Sequence, residues 1–211
     1  MKKFDFKLDE HGIMKIFDEC KFDGYNFGEG HEVGECSVAV QLIPYCKNVV
    51  EIGAGTGKVS HVINKYLSEN SRGSQHLAIE GGNDKLRESG GRVVEENHAL
   101  LKNKKLFNDL YTPIFKPANE LSFDDLSLLN EKPDCLYVDC DNCLYDFFHT
   151  EVGKYVLSTV RFIANEMDGM NGWLRNLWRD NGFEKIGFGY SHGRLDTSHD
   201  EWKCEVWYNE R

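Results

Sequence analysis

Short apolar runs alternate along this chain of 211 residues with longer stretches in which apolar residues recur every three or four positions. The short runs predict strands, and the longer spacing predicts helices between them. Strands are expected at 49–52, 76–80, 111–115, 135–138, 160–166, 183–188 and 203–208. Helices are expected at 32–45, 59–66, 86–101, 121–129, 150–158 and 173–178. This order predicts an α/β fold with a doubly wound, mostly parallel sheet and an antiparallel last strand.

Three glycines at alternate positions follow the first predicted strand. Gly53, Gly55 and Gly57 separate the apolar run 49–52 from a helical pattern that begins at Val59. Glycine adopts positive φ and lets a ligand lie against the main chain, while the N–H groups at a helix start favour electron-rich atoms. The segment therefore predicts a strand, a tight turn and a helix, with a ligand bound at the turn.

The spacing of this turn separates two classes of nucleotide ligand. A dinucleotide site has the pattern G-x-G-x-x-G, whereas this chain has G-x-G-x-G after Glu51. A second carboxylate, Glu80, ends the second predicted strand, where it can accept hydrogen bonds from both ribose hydroxyls of an adenosine. The string from Glu51 to Gly57 resembles motif I of the class I S-adenosylmethionine (AdoMet) methyltransferases. That resemblance implies a Rossmann-like methyltransferase domain that binds AdoMet and releases S-adenosylhomocysteine.

The same resemblance suggests which residues hold the cofactor. In the family, the acidic strand residue and the glycine turn surround the methionine part and the ribose, and the end of the third strand contacts adenine. Residues 34–35, at the start of a helix, also resemble the G-E-D segment that precedes motif I in FkbM-like methyltransferases, although a carboxylate is favoured in any first helical turn. The residues expected to bind AdoMet are Glu35, Glu51, Gly53, Ala54, Gly55, Gly57, Glu80, Gly81, Asn119 and Asp139.

The charge of the chain narrows the choice of partner. The sequence has 35 acidic and 25 basic residues, a formal net charge of -10, which repels a phosphate backbone and an anionic membrane surface. It contains no apolar run of about eighteen residues, and its first residues lack the apolar stretch of a signal peptide. We therefore expect a cytoplasmic domain with no nucleic-acid partner and no membrane insertion.

The seven cysteines raise the question of a zinc site or a disulfide framework. Cys140 and Cys143 have C-x-x-C spacing, but no second such pair and no His-x-His cluster accompanies them to complete a tetrahedral zinc site. We therefore expect free thiols, some of them serving as small core residues.

A second group of acidic residues follows the fourth predicted strand. Asp139 and Asp141 come at the carboxyl end of 135–138, the edge where open α/β sheets bind ligands. Two such carboxylates can bind a cation, orient a substrate hydroxyl, or divide into one base and one structural acid. The alternative is a turn rich in Asp and Asn that caps the following helix. We expect the chemistry here, with Asp141 as the catalytic base and His149 or His192 in reserve.

Two families of sugar methyltransferases resemble this acidic segment. Residues 138–142 are similar to the I-D-x-E-G segment of FkbM-like enzymes. The same stretch resembles the D-G-D-L-Y segment of the macrocin-type sugar O-methyltransferases, in which aspartates bind a divalent metal. By that second resemblance Asp139, Glu166 and Asp168 would be the metal ligands. A metal-free mechanism is preferred, because the adjacent aspartates of the metal-dependent family are absent and Asp139 has an alternative partner in the AdoMet amino group.

These resemblances imply an AdoMet-dependent O-methyltransferase that transfers a methyl group to a hydroxyl of a sugar or glycan. Two alternatives stay open: a domain of the same fold that binds AdoMet without catalysis, and a metal-dependent O-methyltransferase of phenols or catechols. The length predicts a single domain over 1–211, with an aromatic-rich segment 1–30 packed on its edge. The chain is either a whole small enzyme or the catalytic domain of a longer polypeptide.

Overall fold

The computed structural model describes residues 33–55, 57–70, 73–81, 101, 104–140, 143–168, 172–190 and 202–211. The predicted N-terminal segment 1–30 and nearly all of the helix predicted at 86–101 lie outside these ranges. Two of the candidate catalytic residues, Asp141 and His192, also lie outside them.

The described strands lie close to the predicted ones, whereas the helix at Leu144–His149 was not predicted and the helix predicted at 121–129 covers only Phe123–Leu126. The strands are β1 (Asn48–Ile52), β2 (Gln75–Ile79), β3 (Tyr111–Ile114), β4 (Cys135–Val138), β5 (Phe162–Asp168), β6 (Glu184–Tyr190) and β7 (Trp202–Tyr208). The α-helices are α1 (Val33–Leu42), α2 (Lys58–Asn70), α3 (Phe123–Leu126), α4 (Leu144–His149), α5 (Glu151–Thr159) and α6 (Gly172–Asp180). Short 3-10 helices cover Ile43–Tyr45 and Ala118–Glu120. No helix within the described ranges is long and apolar enough to cross a membrane.

Seven strands of the described residues form one sheet in the order β3-β2-β1-β4-β5-β7-β6. β1 pairs in parallel with β2 and β4, and the parallel pairing continues outwards to β3 and β5. β7 runs antiparallel to both of its neighbours, β5 and β6. The predicted fold class is therefore confirmed: a doubly wound, mostly parallel α/β sheet whose last strand is antiparallel.

The carboxyl ends of the central strands lie at one level of the sheet. Ile52 at the end of β1 pairs with Ile79 of β2 and with Val138 of β4. The strand order reverses at this point, because β2 and β3 lie on one side of β1 while β4 and β5 lie on the other. In open α/β sheets, ligands bind in the crevice outside the strand ends at such a point. The topology therefore places the glycine turn that follows β1 at the expected ligand edge.

Both faces of the sheet are covered by helices. Successive side chains of a strand point to opposite faces. Val50 and Ile52 accordingly pack with residues of α4, α5 and α6, whereas Val49 packs with residues of α1 and α2. Burial on both faces explains why the central strands appear in the sequence as continuous apolar runs rather than as alternating patterns.

β7 contributes a buried ion pair as well as apolar residues. Val206 and Trp207 are buried, and Glu205 beside them is 0% exposed. The Glu205 carboxylate accepts hydrogen bonds from Arg175 at 2.8 and 3.1 Å and from Lys185 at 2.6 Å. Burial opposes ionisation, but the hydrogen bonds and charges of the two cations outweigh it and hold the pKa of Glu205 below its usual value. This contact ties β7 to α6 and β6.

The ends of two elements show how local bonding sets boundaries. β5 begins at Phe162 rather than at 160, because Val160 still belongs to the end of α5: its N–H donates to the Val156 carbonyl oxygen at 3.0 Å. α6 ends as predicted, with Gly182 at a φ of +80° just beyond it. Glycine tolerates this left-handed conformation, which terminates the helix.

Candidate functional site

The glycine turn has the backbone conformation that its sequence predicts. The φ angle is +85° at Gly53, +48° at Gly55 and +76° at Gly57, values that favour glycine. The N–H groups of Gly53 and Ala54 donate to the Ile79 carbonyl oxygen at 2.9 and 3.2 Å. The turn is thereby held against the end of β2.

Gly53 also lies directly against the end of β4. A Cβ atom at Gly53 would be 1.7 Å from the Asp139 carbonyl oxygen and 2.9 Å from Cys140 Cβ. At Gly55 the nearest described atom to such a Cβ is the Gly53 carbonyl oxygen, at 4.0 Å. Position 53 therefore requires glycine because the turn approaches the residue after β4 closely, whereas position 55 favours glycine through its backbone conformation.

Glu80 is in direct contact with the turn. The Gly55 N–H donates to Glu80 Oε2 at 2.7 Å. The Glu80 N–H donates to the Ile114 carbonyl oxygen at 2.9 Å, which holds the residue at the end of β2 beside β3. The glycine turn and the carboxylate, 25 residues apart in the chain, thus form one local arrangement at the ligand edge.

A cavity of about 340 Å³ opens at this edge, a volume within the range of small-molecule sites. Four of the residues expected to bind the cofactor line it: Gly53, Glu80, Gly81 and Asn119. The other lining residues are Ile52, Ile79, Pro117, Ala118, Cys140, Cys143 and Asp146. Cys140, Cys143 and Asp146 line this site although their positions were not predicted from the sequence.

The lining fits the adenosine part of AdoMet. Ile52, Ile79 and Ala118 are buried apolar residues that can cover a purine ring. Glu80 offers carboxylate oxygens, which accept hydrogen bonds from hydroxyl groups such as those of a ribose. Gly81 has no side chain to occupy the space beside Glu80. A carboxylate acceptor beside apolar walls suits a neutral nucleoside better than a phosphate, which carries the same charge as the carboxylate.

Glu51 lies behind the turn, outside the lining of this cavity. It is 1% exposed, and Ser60 Oγ donates a hydrogen bond to its Oε2. His76 Nε2 lies 3.2 Å from the same oxygen, and His76 Nδ1 lies 2.9 Å from Asn64 Oδ1. Burial, followed by the charge of Glu51, raises the pKa of Tyr111 beside His76. Glu51 thus belongs to a buried polar network, and its role in cofactor binding stays a prediction.

Three other acidic residues expected to belong to the site influence the pKa of the buried Cys204 thiol. Glu35 in α1 is 0% exposed, Asp139 follows β4, and Glu166 lies in β5. Burial and then the charge of Glu35 raise the pKa of the Cys204 thiol. Glu166 and Asp139 act in the same direction, so all three carboxylates lie within electrostatic reach of one buried sulfur. These carboxylates come from three different elements: α1, β5 and the residue after β4.

His149 is the one candidate catalytic residue that the structure describes. It is the exposed last residue of α4, with Nδ1 2.6 Å from the Tyr145 carbonyl oxygen and its ring 4.4 Å from the Tyr145 ring. Asp146 of the same helix lines the cavity, whereas His149 is not among the described lining residues. Asp141 and His192 lie outside the described residues, so all three catalytic assignments stay predictions.

The predicted metal ligands are only partly described. Asp139 and Glu166 belong to the described residues, but the side chain of Asp168 does not. Within the described ranges, no group of three or more His, Cys, Asp or Glu side chains is placed to hold a metal ion. The preference for a metal-free mechanism stays a prediction.

A disulfide joins Cys140 and Cys143, whose Cα atoms are 5.9 Å apart. The expectation of free thiols is therefore wrong for this pair, because their Cα separation lies within the range that a disulfide spans. Cys46, Cys135 and Cys204 are buried thiols, as expected for small core residues. Both residues of the disulfide line the cavity next to Gly53.

No family model matches the sequence, and a comparison with curated proteins finds no significant match. Solved structures match its fold. A candidate O-methyltransferase from Klebsiella pneumoniae is 12% identical with a TM-score of 0.55, covering 97% of this chain and 92% of that one. A candidate tRNA (m1A22) methyltransferase from Streptococcus pneumoniae, solved with S-adenosyl-L-methionine, is 11% identical with a TM-score of 0.53, covering 82% and 71%. Precorrin-6y C5,15-methyltransferase from Geobacter metallireducens is 16% identical with a TM-score of 0.53, covering 82% and 87%. The chain therefore has the Rossmann-like fold of class I methyltransferases.

Proposed function

We propose that this chain is an AdoMet-dependent O-methyltransferase that methylates a hydroxyl group of a sugar or glycan. The observation that carries the cofactor assignment is the contact between the Gly55 N–H and Glu80 Oε2 beside the cavity. A structure of the same fold with S-adenosyl-L-methionine bound supports the assignment. The acceptor assignment rests on the resemblance to two families of sugar methyltransferases.

In this proposal the adenosine part of AdoMet binds at the ends of β1 and β2. Glu80 accepts hydrogen bonds from the ribose hydroxyls, and Asn119 contacts adenine. AdoMet supplies an electrophilic methyl group on a positively charged sulfur. Glu35, Asp139 and Glu166 provide the acidic surroundings that stabilise this cation. The buried network around Glu51 supports the strand from which the glycine turn departs.

The acceptor hydroxyl must lose its proton as its oxygen attacks the methyl group. A carboxylate or imidazole within hydrogen-bond reach promotes this step by accepting the proton. Asp141 is the proposed base, with His149 and His192 in reserve, and no metal is required.

Some solved structures of this fold are described as RNA methyltransferases. The net charge of -10 argues against RNA as the acceptor here.

Isothermal titration calorimetry with S-adenosylhomocysteine tests the cofactor assignment. We expect saturable binding at micromolar ligand, whereas the absence of heat up to high micromolar concentrations would remove the central claim. The titration should be repeated with NAD⁺, because a dinucleotide is the other ligand of a glycine-rich strand-to-helix turn. Preferential binding of NAD⁺ would overturn the assignment.

Methyl transfer from labelled AdoMet tests the acceptor assignment. Methyl glycosides, oligosaccharides, phenols, catechols, peptides and RNA should be offered in parallel at equal concentration. Transfer to sugars supports the proposal. Exclusive transfer to a catechol, a protein side chain or RNA contradicts it, and cofactor binding without transfer to any acceptor favours a non-catalytic binding domain.

A further inference from the structure

Two aromatic side chains are exposed on the helices that follow β4 and β5. Tyr145 in α4 is 58% exposed and Trp173 in α6 is 37% exposed. Their rings meet edge to face, with 5.6 Å between centroids and 75° between planes. The ring of His149 lies 4.4 Å from that of Tyr145. We call Tyr145, His149 and Trp173 the aromatic corner.

The aromatic corner lies at the carboxyl edge of the sheet. α4 follows β4 and α6 follows β5, and these two strands pair in parallel. Tyr145 and Trp173 are the second residues of their helices, so both lie at the edge where α/β sheets bind ligands. Asp146, the next residue of α4 after Tyr145, and Cys143, just before this helix, line the cavity. The corner therefore begins one residue along the chain from the cavity lining, on the side of the sheet that holds β4 and β5, away from Glu80.

Packing of the core does not account for these exposed rings. Leu144, Phe147 and Leu174 form the buried faces of the same two helices. A contiguous exposed apolar surface with a polar rim marks a binding site more often than a scattered exposed residue does. Asp146, exposed and facing the cavity, supplies a carboxylate at the rim.

We propose that the aromatic corner binds a pyranose ring of the acceptor; this inference rests on the sugar methyltransferase function proposed above. A pyranose presents an apolar C–H face that can pack on an aromatic ring, and hydroxyl groups that need hydrogen-bond acceptors. His149, whose ring contacts that of Tyr145, and Asp146, the next residue after Tyr145, can accept hydrogen bonds from those hydroxyl groups. Tyr145 and Trp173 cross at 75°, so they form a corner rather than the parallel slot that would hold a flat aromatic acceptor between two faces.

Saturation-transfer NMR with a panel of methyl pyranosides tests binding without requiring turnover. Spectra are recorded with and without S-adenosylhomocysteine, at millimolar pyranoside. Tyr145→Ala and Trp173→Ala should each weaken binding roughly threefold to tenfold, whereas Tyr145→Phe should keep it. Tyr155→Ala is the matched control, because Tyr155 in α5 is also 37% exposed and packs edge to face on Phe123 at 5.5 Å. It should bind as the wild type does.

The outcomes separate this proposal from the proposed function. Calorimetry should show the same S-adenosylhomocysteine affinity in every variant, and a loss of that affinity in the alanine variants would overturn the acceptor role. Wild-type protein that binds the cofactor but no pyranoside, or alanine variants that bind pyranosides as wild type does, would overturn it too. Corner-dependent pyranoside binding by a protein that does not bind S-adenosylhomocysteine would support the corner and overturn the proposed function.

Discussion

Replacing Gly53 with alanine tests how the glycine turn is joined to the end of β4. The added Cβ would lie 1.7 Å from the Asp139 carbonyl oxygen, a separation that two non-bonded atoms do not adopt, so the turn or the strand end must move. The φ angle of +85° adds strain of roughly 1–2 kcal/mol for any residue with a side chain. The variant therefore combines backbone strain with a steric overlap at the edge of the cavity.

Gly73 provides a control that has the strain without the overlap. Its φ is +78°, and a Cβ there meets no described atom within 4 Å. Gly73→Ala should cost about 1 kcal/mol, because the lower unfolded-state entropy of alanine offsets part of the strain. The overlap at Gly53 should add about 1–3 kcal/mol. For a chain of this size, that corresponds to a melting temperature lower by about 2–4 °C for Gly73→Ala and by roughly 5–15 °C for Gly53→Ala.

Thermal unfolding measures the loss of stability in these variants, and calorimetry with S-adenosylhomocysteine measures their loss of cofactor affinity. Gly53→Ala should also lose cofactor affinity, because Cys140 and the end of β4 shift with Asp139, whereas Gly73→Ala should bind as wild type does. Gly55→Ala has room for its methyl group, so its stability should resemble that of Gly73→Ala. Equal melting temperatures for the two main variants would refute the close contact, and wild-type affinity in Gly53→Ala would place the cofactor elsewhere.

Three further predictions test the site and the core. Glu80→Gln should weaken S-adenosylhomocysteine binding roughly 10- to 100-fold in calorimetry, because hydrogen bonds to a charged group contribute about 1.5–3 kcal/mol; exposed Glu120→Gln should not. The pKa of Glu205 is lowered from 4.5 on folding, so its stabilisation is present above about pH 4.5 and is lost as the pH falls through the folded-state pKa. Denaturation between about pH 7 and 3 should therefore show a steeper loss in wild type than in Glu205→Gln, and parallel curves would contradict this. EDTA should leave turnover unchanged, and recovery only with added Mg²⁺ or Mn²⁺ would instead support a metal site.

Features that depend on neighbours in the chain were the most predictable from sequence. The glycine turn is specified by adjacent residues, and the position of Glu80 follows from the rule that parallel strands end at one edge. Glu51 shows the limit of this reasoning. Its side chain points to the face opposite Ile52, where Ser60 and His76 surround it. Strand alternation predicts to which face of the sheet the Glu51 side chain points. Its partners come from α2 and β2, and no local sequence pattern predicts how these elements pack against β1.

The region after β4 shows what sequence reasoning missed. Leu144, Phe147 and Phe148 are spaced as on one helix face and are buried, which is the signal for α4. The turn-forming Asp and Asn residues before them obscured that signal. The contact between Tyr145 and Trp173 depends on how two helices rotate against each other, and this follows only from the packing of their buried faces.

The position of β7 has a consequence for the order of events during translation. β7 leaves the ribosome after the other six described strands, yet it takes its place between β5 and β6. Until it arrives, the nascent chain presents an unpaired edge of β5, and Arg175 and Lys185 lack the carboxylate of Glu205. Open strand edges of this kind pair readily with other chains. The edge of β5 that pairs with β7 therefore stays open until residues 202–208 have been synthesised.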